Sequence, residues 1–282
     1  MSRFPGAMLR AALVAVVVAL PALMLPDVSS ETGQLVTLLA LVACAVTLAE
    51  YSAACPGLVE FRDARPYNRM RFILLFFLIL FLTILVRNDA VPTPLSVMIT
   101  SGALWLGTVF DFAYSPIRLL SLALPAGLPA AHLDLVRGAA ALGYVIGWLS
   151  VLGLMVAILV GYWPQRRGAF NVWVNLPTFD PTAGLDVVQR LERDALVNIA
   201  LGILMPFFLP VILKLSSLLI QPVTLESTLG FVWGIALWAF VPVSLLMRGI
   251  AMQQVARLIR DKRREVAAEE DGIPQPERSV YS

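Results

Sequence analysis

Charge is scarce in this chain. Only 14% of its 282 residues are Asp, Glu, Lys or Arg, and histidine occurs once, at His132. A single histidine excludes a haem held by two histidines of one chain, and it excludes a histidine-rich zinc site. No metal or other cofactor is expected. Cysteine is almost as rare. On one continuous helix Cys44 and Cys55 would stand ~16 Å apart, beyond disulfide reach, so both read as small apolar residues. Lysine is limited to Lys214 and Lys262 among 21 basic residues. The net charge of +2 is spread over loops and builds no single positive field, so no nucleic-acid partner is expected. The chain has no GxxxxGK[ST], HExxH or GxSxG sequence, so nucleotide-driven transport and the commoner hydrolase mechanisms lack their residues. An internal repeat is also missing, which weakens an inverted-repeat transporter.

What fills the chain is apolar. Hydrophobic residues make up 59% of it, and the mean hydropathy is +0.82. Residues 72–86 (FILLFFLILFLTILV), 138–163, 195–220 and 228–247 are long apolar runs, and a helix crossing the hydrocarbon core needs roughly 20 such residues. Inside lipid the backbone must bond to itself, so the expected fold is all-α: a polytopic transmembrane helix bundle of seven or eight spans. The expected crossings are 8–26, 34–55, 72–86, 95–113, 138–163, 195–220 and 228–247. A cleaved signal peptide competes for the first of them, given Arg3 and Arg10 before the run and small residues at 28–30. Residues 117–131 (IRLLSLALPAGLPAA) are short and carry Pro125 and Pro129. They fit a kinked crossing, a re-entrant segment or an interfacial helix.

Basic residues choose between the counts. Seven crossings with the amino terminus inside leave more basic residues outside than inside. If 117–131 also crosses, only Arg87 and Arg137 lie outside, in line with the positive-inside rule. Eight crossings with both ends inside are therefore expected. The preference for Arg over Lys, with abundant Ala, Leu and Val, fits a GC-rich bacterial gene, so the expected location is a bacterial inner membrane. The bundle should occupy residues 1–247, followed by a basic amphipathic helix over 248–268 and a polar, disordered tail to 282. Asp180-Pro181 resembles a helix start, opening an amphipathic surface segment within the 164–193 loop.

Polar residues inside spans are the candidates for chemistry, because burying a charge in lipid is costly. They are Asp111, Lys214 and Glu50. An Asp111–Lys214 or Asp111–Arg118 pair would fix helix register or line a polar path, and His132 beside Asp134 would make a proton relay. Two loops point to contacts. FRDARPYNRMRF carries Arg62, Arg65, Arg69 and Arg71 with Tyr67, a combination suited to anionic headgroups or an acidic partner surface. FNVWVNLPTFDPT leaves Phe170, Trp173 and Phe179 in need of cover from the bundle, from lipid or from a second membrane protein. Small residues spaced four apart predict close helix packing at Ala139, Gly143 and Gly147, and again at Gly230 and Gly234. By exclusion, these features favour a non-catalytic assembly, scaffold or interaction protein whose expected partners are membrane lipids or another membrane protein. The alternatives are a transporter of small solutes or lipids through Asp111 and Lys214, and a lipid-modifying enzyme using Asp63, Asp180 and Asp186.

Overall fold

The computed structural model describes residues 4–62, 65–163, 175–177, 179, 186–219 and 222–271. Among these the chain forms helices α1 Phe4–Met24, α2 Ser30–Ser52, α3 Arg65–Arg87, α4 Pro94–Val109, α5 Pro116–Ala123, α6 Ala130–Leu159, α7 Val187–Ser216 and α8 Thr228–Asp271. The class is the one expected, a helical membrane bundle. Six helices are long and apolar enough to cross a bilayer; α4 is a shorter apolar helix, and α5 has eight residues.

Local chemistry sets the helix starts. Ser29 caps α2 by accepting from the Thr32 amide at 3.2 Å. Thr93 and Ser96 form a reciprocal capping box around Pro94 at the head of α4, and the Ser96 hydroxyl donates to Asn88 Oδ1 at 2.7 Å, closing the α3–α4 turn. Ser115 accepts from the Arg118 amide at 3.0 Å, with Pro116 at the first helical position of α5. Some hydroxyls bond back to their own helix, as Thr83 does to the Ile79 carbonyl at 2.6 Å and Ser150 to the Ile146 carbonyl at 2.9 Å.

Side-chain pairings fix the direction of each helix. Leu78 meets Gly143 and Met70 meets Gly153, so α3 and α6 are antiparallel. Gly143 faces Ala239 and Gly147 faces Val243, so α6 and α8 are parallel. The bundle thus has two ends. One, the arginine face, carries the loop residues 53–62, the end of α6, the start of α7 and the far part of α8. It is tied by Glu60–Arg248 and by the Phe61 and Trp163 rings, whose centroids lie 6.2 Å apart. The other, the cleft face, carries the α3–α4 turn and the starts of α6 and α8, joined where His132 Nε2 bonds to the Thr224 carbonyl at 2.9 Å.

The expected fourth and fifth crossings take a different form. Arg137, seven residues into α6, grips Asp111 just beyond the end of α4 at 2.6 Å. From Arg137, α6 continues about 33 Å towards the arginine face, so α4 ends far short of that face. Arg118 Nε lies 3.8 Å from Asp111 and holds the start of α5 at the same depth. An eight-residue helix is only about 12 Å long, and residues 124–129 then lead back to the cleft face. Together α4 and α5 make a re-entrant hairpin. Because the excursion returns to the face it left, the start of α1 and the end of α8 share the arginine face, as the even crossing number required.

The core lies where α3, α6 and α8 meet, around Leu74, Leu78, Ile79, Leu82, Leu154, Ile235 and Met247. Helix α7 lies along α8, while α2 packs chiefly on α1 and buries only Ala40. Leu35, Leu38, Leu39, Leu41, Val42 and Val46 of α2 face outward, as a lipid-facing helix requires. The last helix is unbroken from Thr228 to Asp271, so the expected separate segment after 247 is a direct continuation of the final span. Buried Ala251, Met252, Val255 and Ala256 keep it packed well beyond Arg248. The expected helix start at Asp180 lies outside the described residues.

Candidate functional site

Polar chemistry concentrates at both ends of the bundle. At the cleft face, α4 and the first turns of α6 enclose a cleft of about 790 Å³. Its floor is ionic: Arg137 bonds both Asp111 and Asp134, and Arg118 approaches Asp111 from α5. Small residues allow this geometry. A Cβ on Gly107 would lie 3.0 Å from the Gly138 amide nitrogen, and one on Gly138 would lie 3.0 Å from the Ala103 carbonyl. Thr100 lines the same cleft, and its buried hydroxyl oxygen finds no hydrogen-bond partner.

Asp111 is therefore paired, with Arg137 first and Arg118 second. Lys214 is exposed in the last turn of α7, where its charge complements the helix's negative end. The expected relay does not form: His132 bonds to Thr224 and packs edge-on against Phe231, while Asp134 turns to Arg137. Arg137 itself carried no signal in the sequence, because its partner Asp111 is 26 residues away on another helix.

At the arginine face Glu50 closes a loop. One of its carboxylate oxygens accepts from the Gly57, Leu58 and Val59 amides at 3.0, 2.8 and 3.0 Å. Arg62 secures the same loop through the Ala53 carbonyl at 2.6 Å. Both of these residues hold the α2–α3 connection in shape. Tyr67 is fully buried beside Phe61, with ring centroids 4.6 Å apart. Arg71 stacks over the Tyr67 and Phe240 rings at 5.4 and 5.8 Å, a cation–π sandwich. Arg69 is exposed; the Arg65 side chain, Asp63, Phe170 and Trp173 lie outside the described residues. Phe179 is buried under Arg190, whose guanidinium sits 4.7 Å from the ring, and Leu176 is buried beside it. Asn175 accepts from the Phe61 amide at 2.6 Å, so this end of the long loop folds onto the bundle.

The small-residue positions divide. Ala139 is fully buried, and Gly143 and Gly147 let α6 approach α8. Gly230 and Gly234 instead make room for their own approach loop: a Cβ on either would strike Ser227 or Leu225. Ser227 also accepts from the Gly230 amide at 3.2 Å, so this pair serves the start of α8. The α7–α8 pair also closes on single glycines that no repeat betrays: Gly202 of α7 lies against Pro242 and Leu246 of α8, and Gly249 of α8 against Ala195 and Ile199 of α7.

Beyond Arg248 the α7–α8 pair carries on as a charged two-helix stalk. Arg263 Nη1 donates to Asp186 Oδ1 at 2.7 Å, and Arg260 pairs with Glu192. The Arg263 hydrogen bond holds the Asp186 carboxyl below the ordinary carboxylate range. A carboxyl shifted downward keeps its bond at neutral pH and loses it as pH falls through the lowered value. Spin labels at Gln189 and Lys262 should accordingly show one narrow distance at pH 7 that broadens only in strong acid. Broadening already near pH 6 would remove this clasp. Among the described residues no three or more His, Cys, Asp or Glu side chains gather as a metal site. No protein-family model, curated protein or solved structure matches the chain.

Proposed function

We propose that this multi-pass membrane protein is an assembly or interaction factor of a bacterial inner membrane, and that the α7–α8 stalk is its docking element. The stalk carries the reading. A helix meant to lie on headgroups would break from the span and turn into the membrane plane. Here α8 continues unbroken for about 35 Å past Arg248, braced by α7 through ion pairs at Asp186 and Glu192. It presents Arg257, Lys262, Arg263 and Arg264 interleaved with Asp261 and Glu265, a mixed-charge surface that suits a protein more than a lipid sheet. The positive-inside rule supports a cytoplasmic arginine face, since the 57–71 arginines and the stalk share it.

The enzyme reading is less supported. Asp63 and Asp180 lie outside the described residues, and Asp186 is engaged by Arg263. A photo-crosslinking amino acid placed at Arg257, Lys262 or Arg264 in native membranes tests the proposal. One discrete protein adduct, lost when the probe moves to lipid-facing Leu38 of α2, is the expected result. Lipid adducts alone, or no adduct at all three positions, would overturn it.

A further inference from the structure

The cleft behind the re-entrant hairpin has a use that the stalk does not supply. Three carboxylates line or floor it, Asp89, Asp111 and Asp134, with Arg118 and Arg137 as their positive counterparts, so these groups sum to one negative charge. Pairing is uneven. Arg137 spends its two terminal nitrogens on Asp111 and Asp134, and Arg118 leans on Asp111. Asp89 makes no ion pair among the described residues and stands exposed at the rim.

The groups left over can all accept a hydrogen bond. They are the Asp89 carboxylate, the second oxygen of Asp134 and the unpartnered Thr100 hydroxyl oxygen. A carbonyl can only accept, so His132 Nε2 must donate to Thr224, which leaves Nδ1 as an acceptor in the neutral ring. A pocket with surplus acceptors and one surplus negative charge calls for a cation rich in N–H donors. Among the described residues no three His, Cys, Asp or Glu side chains gather at metal-ligand spacing. The cleft's volume is that of an ordinary small-molecule site, which suits a polyatomic organic cation.

We infer that this cleft binds a primary ammonium group, with Asp89 and Asp134 as its counter-ions and Thr100 as a hydrogen-bond acceptor. Two sources carry that chemistry: the headgroup of an aminophospholipid in the adjoining leaflet, and a free small amine.

Native mass spectrometry of the full-length protein in mild detergent tests this. Phosphatidylethanolamine, phosphatidylcholine and phosphatidylglycerol are added in turn, and ethanolamine and 1,4-diaminobutane are then added as competitors. Phosphatidylethanolamine or a free amine should be retained, and phosphatidylcholine, whose quaternary nitrogen has no N–H, should bind about tenfold more weakly than its amine counterpart. Displacement of the lipid by ethanolamine, or direct amine binding without lipid, assigns the site to free amines; lipid retention that ethanolamine does not compete assigns it to the headgroup. Asp89→Asn and Thr100→Val should each weaken binding about tenfold. Circular dichroism confirms that each variant is folded, and Asp89 lies outside the ionic floor, so its loss leaves the hairpin in place. Equal retention of phosphatidylcholine, preference for phosphatidylglycerol, or no binding by any probe would overturn the inference.

Discussion

A cysteine at position 114 should be invisible to a membrane-impermeant maleimide applied from the arginine face. Tyr114 sits at the turn between α4 and α5, is exposed, and holds a left-handed φ of 66°. If residues 95–113 made a full crossing, this turn would emerge on the arginine face and label rapidly. In the re-entrant hairpin, Asp111 and Arg118 are held to Arg137, and about 33 Å of α6 separates that level from the arginine face. The expected result for Tyr114→Cys is all-or-none: no labelling from that side, and labelling only by a permeant reagent or from the cleft face. Cys55, exposed in the arginine-face loop, supplies the internal standard, and Cys44 is replaced by alanine. Labelling of position 114 at the rate of Cys55 would make α4 a complete span. A phosphatase fusion completes the test: joined after Gly127 it should be active, and joined after Arg193 inactive, when the arginine face is cytoplasmic.

The second large effect is expected at Gly249. A Cβ there would lie 2.7 Å from the Ala195 carbonyl oxygen and 3.0 Å from the Ile199 amide, both backbone atoms that cannot swing aside. Across the same interface a Cβ on Gly202 would lie 2.7 Å from the Pro242 carbonyl. In lipid no hydrophobic force pulls helices together, so their packing rests on this close approach. Gly249→Leu must part α7 from α8, at a cost of at least the ~1–3 kcal/mol typical of overpacking. The measured outcome should be a large fall in thermal stability in detergent and loss of the Gln189–Lys262 distance. Gly102→Ala is the control. Nothing lies within 4 Å of that position, so alanine should be neutral or favourable by up to ~1 kcal/mol through helix propensity. If both variants lower stability equally, close packing at Gly249 is not what holds the pair.

The sequence by itself settled the fold class, because a long apolar run has only one way to satisfy its backbone in lipid. It also led to an expected shared face for the first and last helices, but by way of eight crossings that included 117–131, whereas six helices among the described residues are long and apolar enough to cross. The Ala139, Gly143 and Gly147 stripe was legible because a four-residue period places all three on one helix face. What each ionisable residue does was decided only in three dimensions. The sequence offers Lys214 and Arg118 as partners for Asp111, and the choice of Arg137 depends on the close approach of α4 to α6, which no local pattern encodes. Glu50 reads as a charge inside a span until the chain folds three amides onto it from the following loop. Gly230 and Gly234 share the spacing of a packing motif, yet Ser227 and Leu225 occupy the space beside them. Gly202 and Gly249 show no period at all. Periodicity reports which face of a helix is small or apolar; which neighbour arrives at that face depends on the path of the chain between helices.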